Sequence, residues 1–220
     1  MSLSRTTVIA VLAGLLAGIL IAVLYSAHTV QTFTDKTAQD LALLRSGFIA
    51  AAHEAASNKV TDESKAVAID CKDRPRFDDL LTRLRTLTEA ERVELDTTFP
   101  ACAPYQLSLK RFHLARLSHI VEKYNEILTY RGYFMKSDTA AAAIVEAMNA
   151  YVAKETVRAD LMRTQLELQR DIIDVLHGKK IASGKSLDAL AQDGAALNGK
   201  FIALQSETEP ILKNLEELLR

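Results

Sequence analysis

Tryptophan is absent from this chain, and glycine (8), proline (4) and cysteine (2) are scarce among its 220 residues. Aromatic residues make up only 6%. Few turn-forming residues, and no long alternating Val/Ile/Thr run, argue against a sheet-based fold and for an all-α one. An excess of charge of one sign is also missing: 27 basic residues stand against 28 acidic ones, for a net −1. Phosphate binding needs a clustered basic surplus, so no nucleic-acid partner is expected.

The motifs that carry chemistry are missing too. Bundle iron sites use Glu-x-x-His pairs, and the chain offers only Asp174-x-x-His177. His113 and His119 are six apart and point to different helix faces, while His28 and His53 stand alone. Each histidine reads as a surface or interfacial side chain. There is no Gly-x-Ser-x-Gly turn, no glycine-rich phosphate loop and no cysteine beside a structured histidine. Glu89, Glu91 and Glu94 read as the solvated face of a helix. The expectation is a protein with no catalytic residue, no metal ligand and no cofactor, and therefore not an enzyme.

What is present begins with Val8–Tyr25, VIAVLAGLLAGILIAVLY, an unbroken apolar run. With Thr6, Thr7 and Ser26 it reaches about 21 residues, or ~30 Å of helix, the thickness of a bilayer core. A cleaved signal peptide is the competing reading. Its apolar core would be about 7–15 residues and would end at a small-x-small site, whereas here Tyr25 occupies the exit. The run therefore predicts residues 1–5 as a short tail, 6–27 as a transmembrane helix and 28–220 as an extramembrane bundle. Ala10, Gly14, Gly18 and Ala22, with Ser26 beyond, recur every four residues on one helical face. Helices associate in lipid by close approach across small residues. The stripe thus marks a contact with another membrane protein's span or with a second copy, or else ordinary membrane filler.

Cys71 and Cys102 sit in the loop-like stretches DCKDRP and FPACAP, without a CxxC arrangement. A disulfide between them would close a loop of about 30 residues, contribute roughly 3–4 kcal/mol and persist in an oxidising compartment. Flanking charge does not orient the span, because Arg5 precedes it while Lys36 and Arg45 are diluted by Asp35 and Asp40. The cysteine pair points to a single-pass protein of a bacterial inner membrane with a periplasmic body. Two free thiols would instead favour a cytoplasmic body.

Past the span, Val30, Phe33, Leu41, Leu44 and Phe48 continue an amphipathic helix to about Ser57. A polar connector to Arg76 follows, then a helix from Asp78 to about Leu87 and a Thr88-x-x-Glu91 capping box that restarts it to Leu95. Pro100 and Pro104 predict a turn around Cys102. A helix over Tyr105–Met135 then carries the seam Leu117, Ile120, Val121, Tyr124, Ile127 and Leu128. After a Ser137-Asp138 cap, a helix runs from Thr139 to His177 and ends at Gly178. The last stretch is capped by Ser186, and Ser206-x-x-Glu209 before Pro210 predicts a second cap with a kink. Long helices with short loops bury their apolar faces only side by side, so the expectation is one elongated antiparallel bundle. Within TYRGYFMK, Tyr130, Arg131, Tyr133 and Phe134 surround a helix end. Such a patch suits a partner or a small ligand; the alternative is an apolar plug at the end of the bundle.

A span, the first-helix words ALLRSGFIAAA, the later FMKSDTAAAAIVEAM and the terminal LQSETEPILKNLEELL together resemble bacterial double all-helical ligand-binding sensor domains. The resemblance covers roughly residues 35–220 and implies two stacked helical bundles that read periplasmic signals. It identifies no binding residues. That family normally continues into a second span and an output module, which do not follow here, and the cysteine pair is not one of its marks. Two readings result: a membrane-anchored accessory or scaffolding subunit that binds other membrane proteins, and a periplasmic small-molecule-sensing module.

Overall fold

A computed structural model describes residues 5–64, 71, 73–84, 86–132 and 139–218, with side chains from residue 18 onward. Among the described residues there are five helices and no strand: α1 (Arg5–Ala56), α2 (Arg74–Thr82), α3 (Glu89–Gly132), α4 (Thr139–Leu176) and α5 (Leu187–Leu218). The all-α bundle expected from composition is the fold.

Helix α1 has 52 residues, about 78 Å at 1.5 Å per residue. Only its C-terminal third is built into the bundle. From residue 18 to residue 32 every side chain is exposed, and burial begins at Thr37 and Leu41. The helix ends in a Schellman motif: the Lys59 N–H donates to the Glu54 carbonyl (2.9 Å) and the Asn58 N–H to that of Ala55 (3.3 Å). Asn58 takes the left-handed conformation this requires, with φ +49. The same arrangement ends α4, where Lys179 N–H reaches Asp174, Gly178 N–H reaches Val175, and Gly178 has φ +70.

Two cores stack along the rod. The one nearer the free part of α1 gathers Leu41, Phe48, Ala51, Ala52 and Ala55 from α1 with Leu117, Val121, Tyr124, Ile144, Met148, Tyr151 and Leu215. The distal core gathers Phe77, Leu80, Leu84, Leu87, Leu95, Phe99, Cys102, Leu166 and Ile173. Each such fully buried side chain contributes about 1.5–3 kcal/mol. Helices α3 and α4 run antiparallel through both cores, and α2 takes the place beside α3 that α1 leaves at Ala56. The Cys71–Cys102 disulfide is formed, with Cα atoms 4.6 Å apart, and pins the connector before α2 to α3.

Several expectations are corrected. The second helix runs over Arg74–Thr82 rather than from Asp78 to Leu87, because Asp73 caps it by accepting from the Arg76 N–H (3.0 Å) and a proline occupies the first turn. Leu84 and Leu87 remain buried although they follow the helix. The turn at Cys102 is absent: α3 runs through Pro100 and Pro104. Each proline removes one N–H donor, but the two lie four apart on the exposed face, where water can reach the freed carbonyls. The Thr88/Glu91 capping box is formed in both directions, at 2.9 and 3.4 Å, and opens this long helix. Ser186 caps α5 through the Ala189 N–H (3.3 Å). Ser206 is not a cap, since its hydroxyl donates to the Ala203 carbonyl inside an α5 that continues through Pro210. The expected Ser137-Asp138 cap lies outside the described residues.

Among the described residues no helix is long and apolar enough to cross a membrane. The expected span over 6–27 falls largely outside those with described side chains, Ala10 and Gly14 included. Gly18 and Ala22 lie on the exposed part of α1, with nothing within 4 Å of a Cβ built at Gly18.

Candidate functional site

Where α1 ends, between the two cores, side chains from α3 and α4 close on its last turn. The last carbonyls of a helix carry the negative end of its dipole and attract donors and positive charge. Here Tyr151 donates its hydroxyl hydrogen to the Ala52 carbonyl (3.0 Å) and Lys110 its ammonium to that of Ala55 (2.8 Å). Lys110 also donates to Glu155 across the α3–α4 interface. Arg158, one turn on, forms an ion pair with the second oxygen of Glu155 at 2.6 Å. Beyond the helix end, His113 Nε2 meets the Lys59 carbonyl at 2.9 Å, and Arg116 pairs with Glu54 at 2.6 Å.

Burial sets the charge states of this clamp. Lys110, His113, Tyr151 and Glu155 are all buried. Desolvation pushes the Lys110 ammonium below its ordinary range, against the opposing pull of Glu155. Desolvation likewise pushes His113 below 6.5, so its ring is neutral at pH 7. Since a carbonyl can only accept, the proton sits on Nε2, and Nδ1 is left without a partner among the described residues. Burial, then the neighbouring Glu155 charge, raises the Tyr151 phenol above its usual range.

A cavity of about 350 Å³ opens against the clamp, between α4 and α5. Tyr151 and Arg158 form one wall, Phe201, Gln205, Thr208, Glu209 and Leu212 the other, and Ala56 its floor. Its size and its mixture of aromatic, aliphatic and charged groups suit a small molecule. A wider groove of about 680 Å³ lies between α3 and α4, lined by Glu122, Asn125, Glu126, Tyr130 and Asn149 among others.

Of the aromatic patch, Tyr130 is exposed at the rim of that groove and Arg131 follows on the last turn of α3; Tyr133 and Phe134 lie outside the described residues. Among the described residues no group of three or more His, Cys, Asp or Glu could hold a metal ion. His113 corrects the expectation of a surface or interfacial histidine, since none of it is exposed. Glu91 and Glu94 are not merely solvated: Arg76 grips Glu94 with two hydrogen bonds (3.0 and 2.8 Å), and Arg83 bridges Asp79 and Glu91, tying α2 to α3.

The clamp was legible in register though not in motif. Extended backwards, the α3 seam of Leu117, Val121 and Tyr124 meets His113 and Lys110 at spacings of four and three. Glu155 holds the same seam position on α4 after Ile144, Met148 and Tyr151. Ionisable residues at core positions of two facing helices are the signal that short-motif reading overlooks. Compared with known proteins, the chain matches no family model, no curated protein and no solved structure.

Proposed function

We propose that this chain is a non-enzymatic, membrane-anchored helical subunit whose body stands in the periplasm and whose anchor and bundle bind other membrane proteins. One observation carries the reading. Helix α1 leaves the bundle as a continuous helix, and its free part displays Ile19, Leu20, Ile21, Val23, Leu24 and Tyr25 to the outside, each more than half exposed. Monomeric soluble proteins rarely leave that much apolar surface uncovered. The apolar run of the sequence continues it toward the amino terminus, so a bilayer or a partner's span is the fitting surrounding. The disulfide supports an oxidising compartment for the body.

Carbonate extraction and protease protection test the anchor. The full chain should stay with membranes, with its body protected until the outer barrier is opened. Recovery of a soluble mature form beginning near His28 would overturn it. For the subunit role, blue-native electrophoresis in mild detergent should show an assembly larger than the monomer; a strict monomer at every detergent concentration would count against it.

A second reading, a small-molecule-sensing module, is favoured by the cavity beside the clamp. The clamp joins that cavity to the helix that leaves the bundle.

A further inference from the structure

We propose that the cavity beside the clamp binds a small zwitterion with an apolar side chain, an α-amino acid in size and charge, and that α1 reads its occupancy through the clamp. This rests on the sensing reading above and specifies its ligand class.

The charge distribution selects the ligand. Lys110 and Arg158 both draw on the single carboxylate of Glu155. Arg158 carries five N–H donors along the edges of a planar fork and lines the cavity. A carboxylate is the group that such an edge takes with two parallel bonds. Across the cavity Glu209 has no ion-pair partner among the described residues and suits an ammonium. Phe201 and Leu212 supply the apolar surface between these ends, and Gln205 offers both a donor and an acceptor. A phosphate or dicarboxylate would bring surplus negative charge toward Glu155 and Glu209. A simple amine would place its charge beside two cations already short of counter-charge.

Coupling follows from shared residues. Tyr151 lines the cavity and also holds the Ala52 carbonyl. Arg158 lines it and pairs with Glu155, which holds the lysine that grips Ala55. A ligand carboxylate that draws Arg158 from Glu155 leaves Glu155 to Lys110 alone and alters the grip on the end of α1. Such coupling is reciprocal, so any change that loosens the α1 terminus must alter affinity for the ligand.

The test uses the full chain in detergent or nanodiscs. The panel holds the common amino acids, the matched carboxylic acids lacking the amino group, the matched amines lacking the carboxylate, dicarboxylates and simple sugars. At about a hundredfold excess over Kd an apolar amino acid should raise Tm by about 5 °C, with the one-ended analogues bound at least about tenfold more weakly. E209Q, at an exposed position, should fold normally and abolish the preference for the amino acid over its des-amino analogue. R158Q should lose the preference over the amine. Binding should also change amide hydrogen exchange across residues 52–59. Equal binding of one-ended analogues, an E209Q variant with unchanged selectivity, or binding without any change at residues 52–59 would overturn the proposal. A shift caused only by dicarboxylates or sugars would overturn the ligand class and leave the sensing reading standing. A panel that moves nothing would remove both.

Discussion

Lys110 on α3 and Glu155 on α4 meet across the waist of the bundle with 1% and 0% of their side chains exposed. Around this pair α1 stops and α2 begins its share of the rod. Desolvating two charges is costly, and removing one partner alone leaves the other buried without compensation. We therefore expect K110M to lose about 3–5 kcal/mol of stability. The double variant K110M/E155M should lose clearly less than the sum of the two single changes, because Arg158 can carry its freed charge toward water along its aliphatic stem. Denaturant unfolding of the four proteins gives the coupling directly. Additive losses would mean that the pair does not act as a unit.

Tyr151 offers a finer probe. Its ring packs edge-on against Phe48 at 5.9 Å between centroids, and its hydroxyl serves the Ala52 carbonyl. Tyr151→Phe keeps the packing and removes one buried hydrogen bond, for a loss of about 1 kcal/mol and a fall in Tm of about 2–4 °C. Calorimetry reads both, and an unchanged Tm would show that water replaces the phenol.

At the helix end, Asn58 occupies a left-handed conformation. Asn58→Gly should be neutral or slightly stabilising, whereas Asn58→Val should cost about 1–2 kcal/mol, the penalty for a β-branched residue there. Equal stability of the two variants would mean the cap relaxes elsewhere.

The α2–α3 corner makes a pH prediction. The Thr88 N–H first, then the Arg83 guanidinium and the Thr88 hydroxyl, lower the Glu91 carboxyl from its ordinary 4.5 to about 2. A carboxyl depressed on folding stabilises the native state above its unfolded value, and that contribution fades as pH falls from 4.5 toward 2. The wild-type chain should therefore lose more stability than Glu91→Gln over this window. Parallel denaturant titrations at pH 6 and pH 3 measure the difference, and equal slopes would contradict the assignment.

Breaking the disulfide tests the tie between connector and α3. C71S/C102S should lose about 3–4 kcal/mol in the chain-entropy account. A comparable fall in wild-type stability on adding reductant, absent in the double variant, would isolate the bond itself.

Much of the architecture follows from sequence alone because helices announce themselves locally. Apolar spacing marked α4 to within a residue, the Thr88/Glu91 box and Ser186 marked two starts, and Gly178 marked an end. The disulfide expected of Cys71 and Cys102 is formed, although Cys102 sits inside α3 and not in the loop its flanking prolines suggested. Tertiary structure decided where local rules compete. Pro100 and Pro104 read as a break, yet both face solvent, and the helix continues through them with Phe99, Cys102 and Tyr105 buried on its other side. It also decided the clamp. Lys110, His113 and Glu155 look like ordinary polar residues along the chain, and only the meeting of α3, α4 and the end of α1 turns them into a buried network. Seam register places each of them at a core position of its own helix, but which partners meet there is set by three segments far apart in sequence.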